Sequence, residues 1–101
     1  MKKINSFGML SNIQKEKYID RMTEELLTLR GKAGFTQDKL AGLIGISRQT
    51  YYAMENKIRK MSWNTYLSLI YIYSCVPNTR GLLKKLDVLP TVLLEVLINK
   101  D

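Results

Sequence analysis

Apolar positions recur at steps of three and four along most of the chain, and strand-like alternation is never sustained, so the pattern predicts a string of helices. Tyr18, Met22, Leu26, Leu29 and Ala33 share one face of a first helix, with Asn12 as its expected N-cap and Gly34 as the residue that ends it. Thr36 caps a second helix that turns Leu40, Ala41 and Ile44 inward before Gly45 stops it. Two residues later Ser47 offers a third cap, and Tyr51 with Met54 forms the buried side of a short helix running to about Glu55 or Asn56. Asn56 to Met61 reads as a basic loop. Ser62 then caps a fourth helix, apolar on Trp63, Tyr66 or Leu67, Ile70 and Tyr73, which Val76-Pro77 closes. A fifth helix is expected over Thr79 to Leu86, and a last one from near Pro90 to about Asn99. The expected class is all-α.

Composition narrows what such a bundle does. A chain of 101 residues, 46% hydrophobic and 25% charged, fits one globular domain. Its 16 Lys+Arg against 9 Asp+Glu leave a net charge of +7, which makes a polyanion the leading partner class. The chain has no histidine and a single cysteine, so neither a Ser-His-Asp nor a Cys-His pair is available, nor a common zinc site. No nucleophile and base stand together, and neither an enzyme nor a cofactor is expected. Cys75 is expected as a packed thiol at the end of the fourth helix. The apolar stretch after Lys2 and Lys3 is interrupted by Asn5, Ser6, Gly8 and Ser11, and the run Leu69 to Tyr73 is too short to span a bilayer. The expectation is a cytoplasmic protein with no membrane partner.

The stretch Thr36-Gln37-Asp38-Lys39-Leu40-Ala41-Gly42-Leu43-Ile44-Gly45-Ile46-Ser47-Arg48-Gln49-Thr50-Tyr51-Tyr52-Ala53-Met54-Glu55-Asn56-Lys57 resembles the helix-turn-helix of phage repressor, Cro and Xre-type transcriptional regulators. The likeness extends loosely from Leu26 to Leu83. It implies a lambda-repressor-like bundle of about five helices plus a C-terminal helix, whose third helix enters the major groove of double-stranded DNA. Leu40, Ala41, Gly45 and Ile46 would be scaffold here, as in any αα-corner. Lys57 stands where the family commonly has glycine, so the third helix is expected either to continue or to end with Asn56 in the left-handed region.

Solvent-facing residues separate a DNA reader from a plain corner. Arg48, Gln49 and Thr50 fall in the first turn of the third helix, where Arg can donate twice to guanine and Gln twice to adenine. Tyr52 and Ala53 lie one turn further on; Tyr52 is expected to be exposed because Tyr51 takes the buried position, and Ala53 is placed to touch a thymine methyl. Gln37 sits at a helix N-terminus, and its family counterpart clamps the DNA backbone. Asn56, Lys57, Arg59 and Lys60 follow the recognition helix as candidate phosphate contacts. The family pattern further pairs Glu55 with Arg30, joining the first and third helices.

From Val88 to Ile98 eight of eleven residues are apolar, more than one stripe on a helix needs. Val92, Leu93, Val96 and Leu97 are therefore candidate dimerisation residues, the alternative being a helix tucked over the first one. The expected organisation is a flexible segment over 1–11, where Lys2 and Lys3 form a frayed end or a minor-groove arm, a DNA-binding domain over 12–87 and a dimerisation helix over 88–101. The function expected is a sequence-specific regulator, a repressor by resemblance, acting on a pseudo-palindromic operator as a homodimer. The alternative is an antitoxin-like, partner-neutralising interaction module of the same fold.

Overall fold

A computed structural model describes residues 10–98, without the side chain of Val96. Seven helices follow one another, α1 (Asn12–Ala33), α2 (Gln37–Ile44), α3 (Arg48–Glu55), α4 (Trp63–Cys75), α5 (Pro77–Arg80), α6 (Leu82–Lys85) and α7 (Thr91–Ile98), and the described residues contain no β-strand. The class is all-α, with α1 packed against α3, α4 and α5, and α2 against α3 and α4.

Local chemistry accounts for most boundaries. α1 starts one residue earlier than the cap expected at Asn12: Ser11 Oγ accepts from the Gln14 amide while Gln14 Oε1 accepts from the Ser11 amide. This reciprocal cap needs a carboxamide three residues after the capping hydroxyl, which Ser11 has and Asn12 lacks. Thr36, Ser47 and Ser62 each cap the helix that follows, and α1 and α2 end on Gly34 and Gly45 at φ 77° and 80°. That left-handed conformation is open to glycine at little cost and turns the chain sharply enough to set α2 against α3. At the end of α3 the expected left-handed Asn56 is corrected: Asn56 has φ −94°, and Lys57 itself adopts φ 62°.

The core is one cluster built on Met22, Leu26 and Leu29 of α1, Leu40 and Ala41 of α2, Tyr51 and Met54 of α3, and Tyr66, Leu69 and Tyr73 of α4. On α4 the buried row is Tyr66, Leu69 and Tyr73, with Leu67 and Ile70 half-buried. Nine of the thirteen residues of that helix are apolar, so its periodicity does not single out a face, and Leu69 is the residue the sequence pattern missed. Trp63 stays half-exposed, stacked on Tyr66 at 4.7 Å between ring centroids. Cys75 is exposed, not packed, because the buried row of α4 continues from Tyr73 to half-buried Val76 and passes it by.

The helix expected over Thr79 to Leu86 is two single turns separated by Gly81. Pro77 starts the first, and glycine, the weakest helix former after proline, breaks the run. Buried Thr79 donates to the Tyr73 carbonyl at 2.8 Å, which fixes the first turn to α4. Val88 is fully buried, and its carbonyl accepts from the Tyr66 hydroxyl, so the segment leading to α7 is part of the bundle. Leu10 is buried as well. The proposed arm of Lys2 and Lys3 lies outside the described residues.

Candidate nucleic-acid interface

Three helix ends build one polar surface. The N-terminus of α2 supplies Gln37, the N-terminal turn of α3 supplies Arg48, Gln49 and Thr50, and Arg30 reaches in from the last turn of α1. Arg30, Thr36, Gln37, Asp38 and Arg48 line an open notch between α2 and α3. Arg48 and Gln49 are exposed, and with Tyr52, half-exposed at 51%, they border a second shallow recess on the outer face of α3. Tyr51 is fully buried. Thr50 is half-buried and its hydroxyl accepts from Ser47 Oγ at 2.9 Å, so it belongs partly to the cap; Ala53 is half-buried.

Beneath this surface lies a carboxylate with three donors. Arg30 Nε donates to Glu55 Oε2 at 2.9 Å and Arg30 Nη2 to Glu55 Oε1 at 3.0 Å, a two-point contact joining α1 to the end of α3. Tyr51 donates its hydroxyl to Oε2 at 2.7 Å, and Gln37 Nε2 donates to Oε1 at 2.8 Å. Arg30 also reaches the Phe35 carbonyl at 3.1 Å, in the turn between α1 and α2. One acid thus collects α1, α2 and α3. The Glu55 side chain is 8% exposed. Burial opposes its charge, but the hydrogen bonds from Arg30, Tyr51 and Gln37 outweigh that penalty and hold the carboxyl below its ordinary range. The hydrogen bond that Arg30 donates to Glu55 raises Arg30 in turn, and burial together with the same carboxylate pushes the Tyr51 phenol far up.

The loop after α3 is held differently. Lys57 Nζ lies 3.2 Å from Glu24, and Lys60 Nζ contacts Glu16 and Asp20, so both ammonium groups rest on a row of α1 carboxylates spaced four apart. Asn56 donates its side-chain amide to the Tyr52 carbonyl at 2.9 Å and closes the end of α3. Arg48 and Arg59 have no carboxylate partner among the described residues. The candidate phosphate contacts therefore divide into Gln37, bound to Glu55; Asn56, Lys57 and Lys60, engaged within the chain; and Arg59.

Four participants are not among the site residues expected from the sequence. Tyr51 is expected as core alone, although it stands four residues before Glu55 on the same helix, the spacing at which side chains meet. Glu16, Asp20 and Glu24 also show that spacing, but nothing local says which cations they face. Among the candidate dimerisation residues, Val92 and Leu93 are half-buried and Leu97 is exposed, whereas the side chain of Val96 lies outside the description. The start of α7 is tied to α1, the Tyr18 hydroxyl meeting Thr91 Oγ1 at 3.2 Å and accepting from the Val92 amide at 3.4 Å. Leu94, Leu97 and Ile98 form its exposed apolar side.

No cluster of potential metal ligands occurs among the described residues, and none of their helices is long and apolar enough to cross a membrane. Residues 26–62 match the helix-turn-helix family model, a segment running from the middle of α1 to the cap of α4. No curated protein and no solved structure matches the chain.

Proposed function

We propose that this chain is a sequence-specific double-stranded DNA-binding regulator of the phage repressor, Cro and Xre type, which inserts α3 into the major groove and acts by occluding or recruiting, with no chemistry of its own. The observation that carries the reading is the exposed pair Arg48 and Gln49 on the first turn of α3, beside the N-terminus of α2, on two helices locked by Gly45 and Glu55. Arg48 reads guanine and Gln49 adenine, with Thr50, Tyr52 and Ala53 along the same face. Gln37 and Arg59 hold phosphates on either side. Lys57 and Lys60 add to this clamp as they leave their α1 carboxylates, since a lysine cannot hold a carboxylate and a phosphate with the same donors at full strength, and Asn56 adds to it from the end of α3.

Domain roles follow: residues 12–87 bind DNA, and the stretch over 88–101 brings two copies together through α7, to which Val92, Leu93, Val96 and Leu97 belong. Uncharged, exposed Leu97 and Ile98 support that role, and a two-fold dimer presents two recognition helices to half-sites about 34 Å apart. Selection of bound sequences from a random duplex library tests the whole reading. A pseudo-palindrome containing G and A in each half-site is expected, and failure of any sequence to enrich contradicts it. Sedimentation tests the dimer, a concentration-independent monomer mass being the contrary result.

A further inference from the structure

Glu55 lies under the DNA-facing surface, and three of the four hydrogen bonds it receives hold the scaffold: two from Arg30 and one from Tyr51. The fourth comes from the start of α2. Gln37 is the first residue of α2, it is half-buried, and its side chain is the only one from α2 among the donors to Glu55. A carboxylate only accepts hydrogen bonds, so it fixes which end of the Gln37 carboxamide faces inward: Nε2 must. One N–H of that nitrogen is spent on Glu55, and the second has no acceptor among the described residues. Gln37 lines the open notch at the start of α2, where a helix leaves its first backbone amides without intrahelical partners.

We infer that Glu55 is the positioning residue of the DNA-backbone clamp: it holds the Gln37 carboxamide in the single orientation that donates to a phosphate at the N-terminus of α2. This rests on the reading of the α2–α3 surface as a DNA interface. Without Glu55 the carboxamide turns freely, and half of its orientations present an oxygen to the phosphate. The charge of Glu55 does not repel the DNA backbone at short range, because Arg30 neutralises it within the cluster.

The experiment is a binding cycle with the full chain and a mixed-sequence duplex of two helical turns, the folded fraction of each variant being checked by circular dichroism. Gln37→Ala and Glu55→Gln are each expected to weaken binding by about tenfold, the weight of one hydrogen bond to a charged group, and the double variant to be no weaker than the weaker single. Tyr51→Phe removes a donor from the same carboxylate without touching Gln37, so it is expected to lower stability and leave affinity within twofold. Should the two single effects multiply in the double variant, or Tyr51→Phe weaken binding as much as Glu55→Gln, the positioning role is overturned. If Glu55→Gln does not fold, Gln37→Asn decides against Gln37→Met: an amide one methylene short cannot span carboxylate and phosphate and is expected to bind as poorly as Met. Asn at wild-type affinity overturns the inference. A wild-type chain that fails to bind the duplex refutes the interface itself, and the positioning role falls with it; a wild type that binds, with independent variants, refutes the positioning role alone.

Discussion

Two sets of ion pairs meet α3 and its following loop, and they differ in what surrounds them. Arg30 and Glu55 are 18% and 8% exposed, joined at two points and supported by Tyr51 and Gln37. Lys57 with Glu24, and Lys60 with Glu16 and Asp20, are all more than half exposed and carry no further donors among the described residues. Burial makes the first set geometric: once desolvated, those charges need each other in one arrangement. Water makes the second set exchangeable, since exposed pairs contribute about 0–1 kcal/mol and another anion can replace the carboxylate. One set fixes where α3 points, and the other leaves cations ready beside it.

Breaking the buried set should have the largest effect. Arg30→Met strands the carboxylate and is expected to cost about 3–5 kcal/mol in urea unfolding, with Glu55→Leu alone similar. The double replacement should cost much less than the two singles combined, and additive losses would show that the pair is not coupled. Acid gives the same cluster a second signature. The folded carboxyl of Glu55 lies below its unfolded value of 4.5, so its contribution to stability is full above that pH and is lost as pH falls through the lower folded value. Glu55→Gln should flatten that part of the stability curve, and an unchanged acid limb would place the titration elsewhere.

Neutralising the α1 row with Glu16→Gln, Asp20→Asn and Glu24→Gln together should shift stability by no more than about 1 kcal/mol. Its effect should appear in DNA binding instead: Lys57 and Lys60, released to phosphates, steepen the salt dependence of log K by about 1.8. Adding Lys57→Gln and Lys60→Gln to that variant should remove the gain; a gain that survives would be long-range repulsion alone. The smallest effect is expected from Asp38→Asn, because Asp38 faces the dipole of α2 in the notch where a phosphate would sit. It should cost about 0.3–1 kcal/mol of stability and tighten duplex binding modestly, and weaker binding would mean that Asp38 orders the notch.

What was legible in the sequence was local. Thr36, Ser47 and Ser62 cap helices through neighbours three residues away, and Gly34 and Gly45 end them through their own backbone, so both features are written in short stretches. Periodicity failed where it carries little information, on the largely apolar α4, where Leu69 took the core position, and at Gly81, where one expected helix became two turns. For the surface, Arg48 and Gln49 could be placed by counting from a cap. The partners of the loop cations could not, since Lys57 and Glu24 are far apart in the chain and only the packing of α1 against α3 brings them together. Gln37 is expected at a helix N-terminus as a phosphate contact; that it also donates to Glu55 follows from a third helix end, which no short motif encodes.

The central claim is that the exposed first turn of α3 binds duplex DNA. Its most direct test is the affinity of the full chain, and of Arg48→Ala, for one selected duplex and one mixed-sequence duplex across a series of salt concentrations. The account predicts log K falling linearly with log salt for both duplexes, and Arg48→Ala losing about 1–3 kcal/mol of preference for the selected one. Binding that ignores salt, or a variant that keeps the full preference, would contradict it.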